Sequence, residues 1–136
     1  MRKELFHQHL LIRAFVNEPP VKEEVLNKWM TELVEDIGMK VVVPAKSKYV
    51  DAAGNEGLTG SINIETSHMA IHIWSMQNPS RIEMDVYSCA CFEMKTILKK
   101  LDEWDLIKFH AMMVDRNDEE FKVTYQSNGY EYLIKE

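Results

Sequence analysis

The sequence predicts an α+β two-layer sandwich, a mainly antiparallel sheet with two helices on one face, and three observations point to it. Two segments carry apolar residues at helical spacing: Leu26, Trp29, Met30, Leu33 and Ile37 in the first, Met94, Ile97, Leu98 and Leu101 in the second. Several other segments alternate with the period of two of half-buried strands. The resulting order, β-α-β-β-β-α-β, shows no internal repeat, and 136 residues are the length of one domain, taken as residues 1–136.

Each element has its own signal. Over residues 5 to 15, Phe6, Gln8, Leu10, Ile12 and Ala14 alternate with His7, His9, Leu11, Arg13 and Phe15, a strand with one face more clearly apolar. Pro19 and Pro20 close it and permit a helix over residues 21 to 37, whose polar side holds Glu24, Lys28, Glu32 and Glu35. Gly38 stands where that helix should be capped. Met39 to Val43, with a valine triplet, predicts a buried strand, and the turn formers of residues 51 to 57 predict a loop. Residues 60 to 74 read as one long extended segment, 75 to 80 as a turn, and 81 to 89 as its antiparallel return. Beyond the second helix, Leu106 to Val114 and Lys122 to Tyr125 predict further strands.

Composition narrows the function. Sixteen Lys and Arg against 22 Asp and Glu give a formal charge of −6, which argues against a grip on nucleic acid through phosphate neutralisation. Lys95, Lys99 and Lys100, the one basic cluster, are read as a solvated helix face. The two cysteines, Cys89 and Cys91, are separated by one residue, which in an extended strand makes a mutual disulfide geometrically poor, so a disulfide-stapled scaffold is excluded. The N-terminal Met1-Arg2-Lys3 is basic through Arg2 and Lys3, but His7, Gln8, His9 and Arg13 break the apolar stretch that a secretory leader would need. No apolar run approaches the roughly 18 residues of a membrane span. The expectation is a soluble, cytoplasmic protein with neither nucleic acid nor membrane as partner.

The chemistry concentrates in the strand pair around residues 66 to 89. Parity puts Met69, Ile71 and Ile73 on one face and His68, Ala70, His72 and Trp74 on the other; Glu83, Asp85, Tyr87 and Cys89 join the second set. A tight turn near Gln77 and Asn78 sets Cys89 opposite residues 66 to 68, so that a serine, a cysteine and a histidine converge. Structural roles for these residues are the plain alternative. A metal site from His68, His72, Cys89 and Cys91 has suitable ligand types, but four residues of strand span about 13 Å, too far for both histidines to share an ion. A hydrolase triad is disfavoured: Ser67 lacks flanking glycines at nucleophile-elbow spacing, and no acid is obviously placed behind His72. Gly57 and Gly60 lack phosphate-loop spacing.

Three blocks then become recognisable: Gly57-Leu58-Thr59-Gly60, the run from Thr66-Ser67-His68 through Ile71-His72-Ile73-Trp74, and Asp85-Val86-Tyr87-Ser88-Cys89. They resemble the prokaryotic S-adenosylmethionine decarboxylase proenzymes, and the spacing of the first two blocks matches without a gap. The resemblance implies a two-layer α/β sandwich and a self-cleaving enzyme that makes a pyruvoyl cofactor from Ser67. Ser67 Oγ would attack the carbonyl of Thr66, the residue on the other side of the cleavage site, and elimination with hydrolysis would leave a pyruvoyl group at the head of residues 67–136. That carbonyl would act as an electron sink for decarboxylation of S-adenosylmethionine, supplying aminopropyl groups for spermidine synthesis.

Further roles are implied by the same resemblance. His72 matches the histidine that removes a proton during elimination. Cys89 matches the cysteine that aids processing and reprotonates the decarboxylated carbon, and Thr59 a hydroxyl residue that assists processing. Tyr49 and Met69 stand near the residues that flank adenine, with His68 beside them as a further substrate contact. The family commonly builds its site between two subunits, which implies a homodimer; no metal is implied. The chain differs from the family pattern in having Thr66 where Glu is usual, a turn over residues 75 to 80 that is two residues longer, and Arg13 in a region that usually carries an acid. Two further readings stay open: a pyruvoyl decarboxylase of arginine or ornithine, and an unprocessed relative that binds a ligand or a partner subunit.

Overall fold

The computed structural model describes residues 6–133. Its sheet comprises β1 (Gln8–Val16), β2 (Val41–Val50), β3 (Gly57–Ile64), β4 (Ser67–Trp74), β5 (Ser80–Ser88), β6 (Leu106–Asp115) and β7 (Lys122–Gln126). They lie in the order β2-β3-β4-β5-β1-β6-β7, each neighbouring pair antiparallel. The helices are α1 (Glu23–Asp36) and α2 (Met94–Leu101), the latter running into a short 3-10 turn over Asp102–Trp104. The α+β class and the single helix-covered face are as the sequence predicts. The expected start of the first strand, residue 5, lies outside the described residues.

Alternation decides which face is covered. Leu10, Ile12, Ala14 and Val16 of β1, Met69, Ile71 and Ile73 of β4, and Ile82, Met84 and Val86 of β5 share one side and are buried against Leu26, Met30 and Leu33 of α1 and Ile97 and Leu101 of α2. Each of these Val, Leu, Ile and Met side chains contributes roughly 1.5–3 kcal/mol on burial. Trp29 and Trp104 stack at 4.2 Å between centroids, and Trp29 Nε1 donates to the Lys100 carbonyl, tying the two helices together. The residues between, His9, Leu11 and Arg13 on β1 and Glu83, Asp85 and Tyr87 on β5, face the opposite side, where Leu11 is 45% exposed. The sheet thus has one dry face and one open face.

Gly38 acts as expected: at φ +74 it follows α1, its N–H donating to Glu35 O and that of Met39 to Val34 O, a Schellman closure. Gly57 and Gly60 have packing roles. A Cβ at Gly57 would lie 1.8 Å from Ile73 O, and one at Gly60 2.9 Å from Met30 Cε under α1. Gly57→Ala is therefore expected to destabilise the fold by about 3 kcal/mol or more, because backbone cannot yield there. Thermal unfolding checks it, and an unchanged midpoint would show that β3 can be displaced freely at this point.

Three expectations need correction. The segment 60–74 is not one extended run but the hairpin of β3 and β4, joined at Glu65 and Thr66. Neither residue is a usual hairpin-turn residue, which is why the turn is silent in the sequence. With this break the sheet has seven strands; β7 stands where Lys122 to Tyr125 predicts a strand, which the five-strand order β-α-β-β-β-α-β did not count. The valine triplet is not buried: Val41, Val42 and Val43 lie on the edge strand β2, Val42 being 62% exposed. Lys100 is not part of a solvated face. It is buried, with Nζ 2.9 Å from Glu32 and 3.0 Å from Glu103. Burial alone would lower its pKa, but the two carboxylates outweigh that and raise it, while the hydrogen bond from Lys100 lowers that of Glu32.

Candidate active site

The β3–β4 turn brings three side chains to one corner. Thr66 ends the turn with φ 57, a left-handed conformation that Gly or Asn adopts readily and a β-branched residue does not. Such a placement costs roughly 1–3 kcal/mol. Ser67 begins β4 opposite Ile64 and is nearly buried. Its Oγ accepts a 2.9 Å hydrogen bond from the Cys89 N–H. Cys89 Sγ lies 2.6 Å from Thr66 Oγ1 and 3.7 Å from Glu65 O, and the Thr66 hydroxyl also reaches Glu65 O at 2.7 Å. One residue thus holds both sides of the Thr66–Ser67 bond, as the expected β4–β5 register implies: His68 faces Tyr87, and two residues further Cys89 meets Thr66.

A second pair lies further along the hairpin. Thr59 on β3 is directly opposite His72 on β4, and Thr59 Oγ1 shares a 3.1 Å hydrogen bond with His72 Nδ1. Five residues of β4 separate Ser67 from His72, about 16 Å at strand rise. The structure therefore brings Ser67, Cys89 and Thr66 together, and Thr59 with His72, but does not bring the two groups together within one chain.

Between them the open face carries a polar network that sequence reading left unassigned. Asp85 Oδ2 receives His9 Nε2 at 2.8 Å and His68 Nε2 at 3.3 Å. Tyr87 OH shares a 2.7 Å hydrogen bond with His7 Nδ1. One row further, Glu83 Oε2 accepts from Arg13 Nε at 2.5 Å and Arg81 Nε at 2.7 Å, and Glu83 sits opposite both Arg13 and His72. The hydrogen bond to Glu83 raises the Arg13 pKa. His9 and Arg13 come from β1, far away in sequence, and only the sheet order β4-β5-β1 reveals the cluster. A shallow depression of about 530 Å³ runs over this face, lined by His9, Arg13, His72, Glu83 and Asp85 among others.

The metal set that strand spacing disfavours, His68, His72, Cys89 and Cys91, does not assemble among the described residues. Among the described residues, the set whose ligand atoms approach one another is His9, His68 and Asp85. Arg116 Nη1 donates to His9 Nδ1 at 3.1 Å, which places the His9 proton on Nε2, where it bonds Asp85. That tautomer leaves no lone pair on Nε2 for an ion, so the trio reads as a hydrogen-bond cluster.

Two proposed adenine contacts need correction. Met69 is fully buried in the core against the helices and leaves no surface for an adenine ring to stack on. Tyr49 pairs with buried Leu58 and shares parity with Ser47, whose hydroxyl bonds Glu23 O and Asn27 on α1, so it belongs to the helix side of the edge strand. His68 does lie on the open face.

The order of elements, the hairpin and the serine–cysteine corner are now fixed in space. Residues 9–116 match the family model for S-adenosylmethionine decarboxylase, and the chain belongs to that family. Comparison with curated proteins returned no match. Among the described residues, no helix is long and apolar enough to cross a membrane.

Proposed function

We propose that the protein is a self-cleaving, pyruvoyl-dependent decarboxylase of S-adenosylmethionine, acting as a cytoplasmic homodimer that supplies aminopropyl groups for polyamine synthesis. The observation that carries the reading is the corner in which Cys89 bonds the Ser67 hydroxyl and reaches Thr66 across the bond to be broken. The residues fit a cofactor made from the chain itself. Cleavage between 66 and 67 would leave β3 paired with β4, and β1 of the first fragment paired with β5 and β6 of the second, so the fragments stay in one sheet.

Ser67 Oγ attacks the Thr66 carbonyl carbon and the peptide nitrogen leaves, protonated, so an amide becomes an ester. Cys89 N–H, donating to Ser67 Oγ, orients the nucleophile, and its thiol stands beside the Thr66 side chain. His72, held by Thr59, takes the Ser67 Cα proton, the Thr66 carboxylate departs, and water releases ammonia to leave the keto group. That pyruvoyl carbonyl supplies the electron sink for loss of carbon dioxide from a bound amino acid. Cys89 then returns a proton to the substrate carbon.

Because about 16 Å of strand separates Ser67 from His72, the Thr59–His72 pair serving one Ser67 comes from a second protomer. The open sheet faces would meet in that dimer, joining the half-sites across an isologous interface. The substrate reading follows from the charges. Glu83 is already engaged by Arg13 and Arg81, and Asp85 by His9 and His68. Neither carboxylate is left to accept from the side-chain N–H donors of arginine or ornithine, whereas the sulfonium of S-adenosylmethionine carries no N–H to satisfy, which favours S-adenosylmethionine; His68 is retained as a substrate contact.

Intact-mass spectrometry of purified protein tests this. Two fragments meeting at Thr66/Ser67, the second with a blocked terminus that traps S-adenosylmethionine on cyanoborohydride reduction, are expected. A single chain after prolonged incubation would instead favour an unprocessed relative, and trapping of ornithine or arginine alone would change the substrate.

A further inference from the structure

Resting on that reading, we propose that Thr66 is a positioning residue with two tasks: its left-handed backbone loads the bond to be broken, and its hydroxyl holds the Cys89 thiol at that bond. Two non-glycine residues among those described have positive φ, Thr66 and Asp105. Aspartate tolerates that conformation, whereas a β-branched residue meets its own backbone there. In the two-residue connection of β3 to β4, Thr66 has positive φ and Glu65 does not, the pattern of a turn that takes Gly at its second position. Hairpins avoid that turn type because its twist opposes that of the strands. The sequence therefore places a costly residue in a costly turn at the one peptide bond that must break, and the adjoining strands, paired at Ile64 and Ser67, keep it from relaxing.

The hydroxyl has its own geometry. Thr66 Oγ1 bridges Cys89 Sγ at 2.6 Å and Glu65 O at 2.7 Å, so the thiol is tethered to the turn rather than left to rotate toward solvent. When Ser67 Oγ takes the Thr66 acyl carbon and the nitrogen leaves, the peptide constraint on Thr66 is lost. Strain is released in the same step, and nothing beyond the two residues and their proton is needed for the balance.

Three variants separate the tasks. Thr66→Gly removes strain and hydroxyl, Thr66→Val keeps the β-branch and removes the hydroxyl, and Thr66→Ser keeps the hydroxyl. Cleavage followed by intact mass should be about tenfold slower in Thr66→Gly than in wild type, with Thr66→Val faster than Thr66→Gly. In a Ser67→Ala background, where all chains stay whole, Thr66→Gly should raise the melting temperature by about 2–5 °C. In the same background iodoacetamide should label Cys89 severalfold faster in Thr66→Val and at the parent rate in Thr66→Ser, with exposed Cys91 as the internal reference in peptide mapping. Equal cleavage rates for Thr66→Gly and wild type, or a lower melting temperature, would overturn the loading task; unchanged Cys89 labelling in Thr66→Val would overturn the tether. A wild-type chain that stays whole removes self-cleavage itself, and the loading task with it. A wild-type chain that cleaves while Thr66→Gly keeps pace removes only the Thr66 proposal.

Discussion

Ser67→Ala is expected to give one uncleaved chain that folds and has no decarboxylase activity. The side chain is nearly buried at the head of β4, and its hydroxyl accepts one hydrogen bond, from Cys89 N–H. Losing that acceptor costs about 1–3 kcal/mol, within what a seven-stranded sheet with a continuous core can bear. The chemical cost is total by comparison, because alanine has no nucleophile to convert amide to ester and no leaving group to eliminate. Circular dichroism and intact mass check the first half, carbon dioxide release from S-adenosylmethionine the second. Decarboxylation that survives the change would remove the pyruvoyl reading, since the carbonyl could not have come from residue 67.

Much of this arrangement was legible in the sequence because periodicity reports burial directly. The apolar rows of β1, β4 and β5 and the faces of α1 and α2 follow from spacing alone, and the parity that put Cys89 across from Thr66 needed only a tight turn near residues 77 and 78. The β3–β4 turn was not legible, because Thr66 adopts a conformation that its side chain disfavours and local signals report preference, not compulsion. The valine triplet misled for the opposite reason: β propensity predicts strand correctly but says nothing of whether that strand lies at an edge. Lys100 misled because Glu32, which holds it together with the nearby Glu103, lies on α1, far away in sequence. The histidine–carboxylate network was invisible for the same cause, since His9 and Asp85 are joined by sheet order alone.

Mixing two inactive chains should restore what each has lost. Ser67→Ala keeps Thr59 and His72 but has no nucleophile; His72→Ala keeps Ser67 and Cys89 but has no base for the elimination. In a dimer that exchanges half-sites, a mixed pair contains one site with both an intact Ser67 and an intact His72, so the His72→Ala chains should cleave when the two are co-expressed or refolded together, while neither cleaves fully alone. Random assortment puts about half of all dimers in the mixed form, so roughly half of the His72→Ala chains should be cut. The expectation follows from length alone: about 16 Å of β4 cannot be folded back within a strand whose register is fixed on both sides by β3 and β5. Differently tagged chains and intact mass read the outcome. Processing of His72→Ala alone at the wild-type rate would remove His72 from the chemistry. Failure of the mixture, with mixed dimers shown to form, would mean that each chain serves itself, which requires β4 to leave the sheet and bring His72 back to residue 67.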